Sequence, residues 1–371
     1  MTTTNTRARL RDLGISIGIH PTGPLNAITD VAGVRVGHTT VVRDDDGSIA
    51  RTGVTAILPR GGNVFFERVP AGAFVLNGAG EVAGLTQVVE WGLVETPILL
   101  TNTMSVGRVS DATVQYLLER FPTIGDEHDV IIPVVGECDD SWLSNVATGL
   151  PSMQDVRDAL DNASSGPVQE GSVGAGTGML TCDFAGGIGT SSRRVRLPSL
   201  ECTIGVLVLS NFGKMRDFRV DGIPVGAMLA DSYDPARQRR RSYGSIIAIV
   251  ATDAPVMSAQ LVRIAKRAAL GIGRVGSYAA HGSGEIVVAF STSNLVPRES
   301  PDMIAELRIL LDSALDPIYQ ATVEATEEAI LNAVCMSSGQ TGRDGRHAPA
   351  LPLEELQRLV GQYRSFTPNP S

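Results

Sequence analysis

The stretch ARQRRRSYGSIIAIVATDAP, residues 236–255, decides how the rest of the chain is read. Four arginines stand between Arg237 and Arg241, and one Gly-Ser pair later the chain becomes Ile246-Ile247-Ala248-Ile249-Val250. A basic, serine-containing loop is stable in water, whereas an apolar run of this kind needs a core on both faces. Gly244-Ser245 therefore marks a boundary between exposed and buried chain. It is either an ordinary step from loop to strand or a place where the chain is cut.

Outward from that boundary the pattern alternates between short apolar runs and longer amphipathic ones. Residues 32–42, 53–62, 95–103, 129–137, 201–213 and 284–292 read as strands, several of them apolar enough to be buried on both faces. Residues 111–121 read as an amphipathic helix. A long helix is predicted to open at Pro255, because Leu261, Ile264, Ala265, Ala268 and Ala269 fall on one face. A second is predicted to begin at Asp316-Pro317. Strands in groups followed by long helices indicate a layered α+β fold with helices covering sheets. No repeat or linker divides residues 1–371, so a single domain is expected.

Composition narrows the function classes. The chain carries 40 glycines in 371 residues, well above the usual share of about 7%, which implies tight turns and close backbone approaches. A formal charge of −9 speaks against nonspecific nucleic-acid binding, since phosphate requires a basic footprint. No apolar segment approaches the roughly 20 residues that span a bilayer. The opening MTTTNTRARLRDLG lacks the apolar core of a signal peptide, so a cytoplasmic location without a membrane partner is expected. Cys138, Cys182, Cys202 and Cys335 are too dispersed for a disulfide framework or zinc knuckle, and the five histidines show no metal-ligand spacing. No metal site and no cofactor is expected.

Two familiar motifs are misleading. GIGRVG (271–276) fits a dinucleotide fingerprint but follows a helix instead of a strand, so it reads as a helix C-terminal turn. GISIG (14–18) fits a nucleophile elbow, yet IHPTGP follows it and no helix can start there. The glycine-rich segments 171–179 and 184–193 lack the G-K-[ST] of a phosphate loop. They are turn formers at strand ends or backbone donors to an anion.

The remaining candidates carry chemistry. In GECDDSW (136–142), Glu137 and Asp139 are expected to share a strand face, either capping a loop in water or holding a substrate ammonium group. If the bond before Ser245 were broken, that residue would bear both a hydroxyl nucleophile and a free α-amine. Such an amine titrates near pH 7.7–8.0, close to what a general base requires. One residue would then replace a Ser-His pair. Glycine at 244 would leave the preceding carbonyl open to attack. In HGSGEI (281–286), Ser283 and Glu285 stand two apart at a strand start and can point the same way, as a polar strand opening or as holders of that amine. Asn211 ends a strand in LVLSNFG (207–213), where it either makes a turn or offers its amide to an oxyanion.

Taken with GPLNAITDVAGVRVGHTTV (23–41), TNTMSVGRVSDA (101–112), GSVGAGTGM (171–179), GGIGTSSR (186–193) and TVEATEEAILNAVC (322–335), these blocks resemble the L-aminopeptidase/D-esterase family, which includes the β-peptidyl aminopeptidases. The resemblance spans most of the chain and rests on many blocks in one order. It implies an αββα sandwich related to that of N-terminal nucleophile hydrolases and ornithine acetyltransferases. It further implies a precursor that cuts itself between Gly244 and Ser245, leaving an α-chain of residues 1–244 and a β-chain of residues 245–371. Ser245 becomes the nucleophile, Ser283 and Glu285 its helpers, Asn211 the oxyanion amide and Glu137 the acidic residue near the substrate amino end. The family has a tyrosine in the loop after Glu137; here Asp139 and Trp142 are the candidates for substrate contact. Homo-oligomers of αβ units are implied as well.

The expected activity is a serine aminopeptidase that releases N-terminal α-, D- or β-amino acyl residues from small peptides, amides or esters. Acyl transfer of the ornithine acetyltransferase type is the alternative enzyme class, although those enzymes use threonine at the new N-terminus. An uncleaved, non-catalytic homologue is the other alternative.

Overall fold

The computed structural model describes residues 6–45, 48–230 and 244–366; the basic run Arg237–Arg241 lies outside them. Nine principal strands follow in chain order: β1 (Arg35–Asp45), β2 (Ser48–Leu58), β3 (Glu67–Gly78), β4 (Ile98–Asn102), β5 (Val134–Cys138), β6 (Gly187–Leu197), β7 (Leu200–Asn211), β8 (Gly244–Thr252) and β9 (Ser283–Ser291). One sheet runs β1-β2-β4-β5, with a two-residue edge at Val82–Ala83. The other runs β6-β7-β8-β9-β3, with short strands at Leu93–Val94 and Val296–Pro297 paired to β3. The β4–β5 and β8–β9 pairs are parallel and the remaining principal pairs antiparallel.

Four of the described helices cover the sheets: α1 (Val106–Arg120), α2 (Met153–Asp161), α3 (Ser258–Arg274) and α4 (Asp316–Met336). The three main cores show how the layers stack. Val54, Ala56, Leu99 and Val135 of the first sheet pack on Val109, Ala112, Val156 and Leu160 of α1 and α2. Ile57, Leu100 and Val134 meet Leu207, Ile249 and Val288 between the sheets. Val206, Ala248 and Val287 pack on Ile264, Ala268 and Ala325 of α3 and α4. The molecule is an αββα sandwich.

The run after Ser245 becomes a central strand because both of its faces are covered. Ile246, Ala248 and Val250 face the helices, while Ile247, Ile249 and Ala251 face the opposite sheet. All six are fully buried, and each large aliphatic among them contributes about 1.5–3 kcal/mol. The four cysteines are buried and unbridged. None of the helices described is long and apolar enough to cross a membrane.

Three sequence readings need adjustment. The helix predicted from Pro255 begins at Ser258, where the Gln260 side chain accepts from the Met257 amide at the first turn. The run 129–137 is a strand only from Val134, since Pro133 has no amide hydrogen for a ladder; Val130 and Ile132 before it are exposed. β5 ends at Cys138, so Asp139 lies in the following turn and does not continue the strand face of Glu137.

Candidate active site

Ser245 is the second residue of β8, opposite Asn211 on β7 and Gly284 on β9. Its hydroxyl donates to the carbonyl of Gly244 at 2.8 Å. Position 244 has no room for a side chain: a β-carbon there would stand 2.2 Å from the Asn211 carbonyl oxygen and 2.7 Å from Phe212 Cα. Glycine is required by close approach and so brings its own carbonyl beside the serine hydroxyl. Gly284 plays a similar part, since a β-carbon would meet the Ala79 carbonyl at 2.9 Å and Gly80 Cα at 3.0 Å. The turn at Gly80 can thereby lie over the site.

Ser283 and Glu285 pair with Gly244 and Ile246 in the parallel ladder, bracketing the Ser245 position. The Ser283 hydroxyl donates to Glu285 Oε1 at 2.6 Å, and the Ser277 hydroxyl reaches the same oxygen at 3.2 Å. The other oxygen, Oε2, is buried with no hydrogen-bond partner. Burial pushes the Glu285 carboxyl above the usual carboxylate range, partly opposed by the two serine hydroxyls. Asn77 on β3 clamps the turn before β9: its amide donates to the carbonyl of Ala280 at 2.9 Å and to that of Ser283. A small cavity bounded by Lys214, Ser277, Tyr278 and Ser283 has room for roughly one water molecule.

Asn211 is held from both ends of its amide. Oδ1 accepts from the Leu180 backbone at 2.9 Å, and Nδ2 donates to the Asp139 carbonyl at 2.8 Å. An amide nitrogen carries two hydrogens, so one remains for an oxyanion. Glu137 Oε1 accepts from the Glu81 amide at 2.9 Å, and Oε2 accepts from the Thr103 hydroxyl. A β-carbon on Gly80 would lie 3.2 Å from Glu137 Oε1 and 3.4 Å from Ser245 Oγ, so the carboxylate and the hydroxyl face one point. Desolvation raises the Glu137 carboxyl, against the hydrogen bonds from Thr103 and Glu81.

The structure thus brings Ser245, Asn211, Ser283, Glu285 and Glu137 together. Asp139 joins through its backbone, because its carboxylate accepts from the Ser141 amide and hydroxyl at 2.8 and 3.0 Å. Trp142 packs against the Arg346 guanidinium, 4.8 Å from the ring centre. Its neighbours are Leu143, Leu180, Ala185 and Ala348. Sequence reading missed Ser277, Asn77, Thr103 and Gly80. Ser277 sits in a glycine-flanked GSY after the helix, a signal too common to notice; the others act from remote segments that only the fold unites.

The comparisons with known proteins follow the same lines. The model of Peptidase family S58 matches residues 26–348. Beta-peptidyl aminopeptidase BapA of Sphingosinicella xenopeptidilytica is 39% identical over 367 residues, covering 95% of this chain and 90% of that protein. The PH0078 protein from Pyrococcus horikoshii OT3 superposes with a TM-score of 0.91 at 43% identity, over 96% of this chain and 99% of that one. The L-aminopeptidase D-Ala-esterase/amidase from Ochrobactrum anthropi, described as a prototype for the serine aminopeptidases and a variant of the Ntn hydrolase fold, superposes with a TM-score of 0.89 at 39% identity, over 96% and 98% of the two chains. By family model, curated relatives and solved structures alike, the chain belongs to Peptidase family S58 and is a peptide-bond hydrolase, an aminopeptidase.

Proposed function

We propose that this aminopeptidase matures by cutting itself between Gly244 and Ser245. The carrying observation is the Ser245 hydroxyl 2.8 Å from the Gly244 carbonyl oxygen, in a strand flanked by Asn211 and by the Ser283–Glu285 pair. Ser245 Oγ adds to the Gly244 carbonyl carbon while its proton passes to the neighbouring nitrogen. The C–N bond then breaks to leave an ester and a free amine. Water hydrolyses the ester, giving an α-chain ending at Gly244 and a β-chain beginning at Ser245.

In turnover the freed amine takes the Ser245 hydroxyl proton as the hydroxyl attacks the substrate carbonyl. Asn211 stabilises the oxyanion. Ser283 and Glu285 hold the amine and help return the proton to the leaving group, and water releases the acyl-enzyme. Glu137 receives the substrate ammonium, which restores to its buried carboxylate the counter-charge that burial removes. Asp139 and Trp142 shape the surroundings of that end through the 139–142 turn. The relatives' names support substrates that are small peptides, amides or esters with an N-terminal α-, D- or β-residue. Cytoplasmic location and assembly into homo-oligomers of αβ units belong to the same proposal.

Denatured intact mass with N-terminal sequencing tests it. Two chains are expected, the smaller beginning Ser-Ile-Ile-Ala; a single 39.1 kDa chain after long incubation overturns the proposal. Product analysis with an added amine acceptor separates hydrolysis from acyl transfer.

A further inference from the structure

One buried carboxyl beside the site has no part in the reaction above. Asp140 is fully buried in the turn after β5, and neither carboxylate oxygen has a hydrogen bond of good geometry. Next to it stand Thr52 at the middle of β2 and Asn102 at the end of β4, close enough for both to act on the carboxyl. Both are buried, and Asn102 Nδ2 donates to Thr52 Oγ1 at 2.6 Å. Asn102 Oδ1 is buried without a partner as well. Acceptors left unmatched in a dry site are destabilising. One proton would resolve the conflict: a neutral Asp140 would donate its O–H to Asn102 Oδ1, while the Thr52 hydroxyl, accepting from Nδ2, would turn its hydrogen to the other Asp140 oxygen.

The charges around the group favour that proton. Desolvation pushes Asp140 up to about 7, with Asp139 adding to the rise and Thr52 and Asn102 opposing it. Arg51, the neighbouring cation on β2, spends its guanidinium on Asp44 and on the carbonyls of Arg43, Ala50 and Thr341.

The location gives this lock a consequence. Asn102 precedes Thr103, whose hydroxyl holds Glu137. Asp140 follows Asp139, whose carbonyl holds Asn211. We propose that Asp140, as a neutral acid, is a positioning residue: it fastens the end of β4 to the turn after β5, and so sets the Glu137 carboxylate and the Asn211 amide at their distances from Ser245. This rests on the roles proposed above for Glu137 and Asn211.

The test uses the full chain with Asp140→Asn and Asp140→Ala, read by kcat/KM on an aminoacyl p-nitroanilide and by Tm between pH 5 and 8. Asparagine can give the same donor, so D140N is expected within about threefold of wild type. D140A is expected to lose about 100-fold in kcat/KM, the scale of a 1 Å misplacement. A carboxyl raised in the folded state stabilises at low pH and loses that contribution as pH rises through its folded value. The Tm advantage of D140N over wild type should therefore widen toward pH 8. D140A with unchanged kcat/KM, or D140N as impaired as D140A with a constant Tm gap, overturns the proposal. If D140A does not fold, D140N alone decides through the same two readings. Wild type without amidase activity strikes the underlying reading instead, while the Tm comparison still reports the proton on Asp140.

Discussion

Two groups of buried charge lie on the same sheet and are built on opposite plans. Around Arg193, on β6, every oxygen of Glu324 and Glu328 has a donor. Glu328 accepts from Arg11, Arg193 and Asn26, with contacts of 2.6 to 3.1 Å. Glu324 accepts from the amides of Ile19 and His20 at 3.0 and 3.1 Å and meets Arg193 at 3.3 Å. Burial alone would raise the Glu328 carboxyl, but the two arginines and Asn26 outweigh it and hold the carboxyl below its usual range. At the other end of the sheet, Glu285 is raised by burial, has only hydroxyls for company and keeps one oxygen bare. The first group is complete, and it binds the N-terminal segment to α4 and β6. The second is one donor short. An unfilled valence in a dry place is where a reacting group can bind, and the α-amine that cleavage would free on Ser245 fits it.

The sharpest way to break that contrast is Ser245→Ala. We predict a single intact chain and loss of at least about 10⁴-fold in kcat/KM; a cleaved, active alanine variant would refute the nucleophile assignment. Next in size, Glu285→Gln and Ser283→Ala should each lower kcat by about 10²-fold or more, as loss of a proton-transfer partner does. Steady-state kinetics on protein already shown by mass to be cleaved would check this; values near wild type would place the function elsewhere. Arg193→Met should do the reverse. It removes the buried cation shared by Glu324 and Glu328, leaving Glu324 with backbone amides alone, and should cost about 3–5 kcal/mol of stability. Activity per folded molecule should stay near normal, as urea unfolding and active-site titration would show.

The smallest effect is the most discriminating. Glu328, depressed in the folded state, contributes stability above its unfolded value near 4.3 and loses it as pH falls through the folded one. Glu285, raised in the folded state, contributes at low pH and loses its contribution as pH rises. Glu285→Gln should thus raise Tm slightly at pH 8, and Glu328→Gln should lower it. A fall in both would mean that Glu285 belongs to the stabilising kind.

The fold was legible where a strand is apolar on both faces. Residues 246–250 could only be central, and Ser283 and Glu285 share a face because strand geometry leaves no other choice. The four-layer order was not legible from periodicity and came from resemblance, since sheet pairing is set by contacts far apart in sequence. In the site, the candidate side chains named from the sequence lie together, whereas the residues that hold them were not legible. Asn77 reaches Ser283 across 206 positions, and nothing in its own neighbourhood marks it. Asp139 was misplaced on the Glu137 face because strand alternation was carried past Cys138, where the ladder ends.

The strand order β7-β8-β9-β3 has one more consequence. β7 and β3 belong to the segment before Ser245, and β8 and β9 to the segment after it. The later pair is slotted between members of the earlier one, like a tenon in its mortise. A precursor reaches this joint with its halves tethered, so closing it is a unimolecular search. Once the tether is severed, halves that come apart must find each other in dilute solution and insert two strands into a gap with exposed edges. Self-cutting would then act as a ratchet: the enzyme is assembled once, and its working life is set by how slowly it falls open, not by how well it refolds.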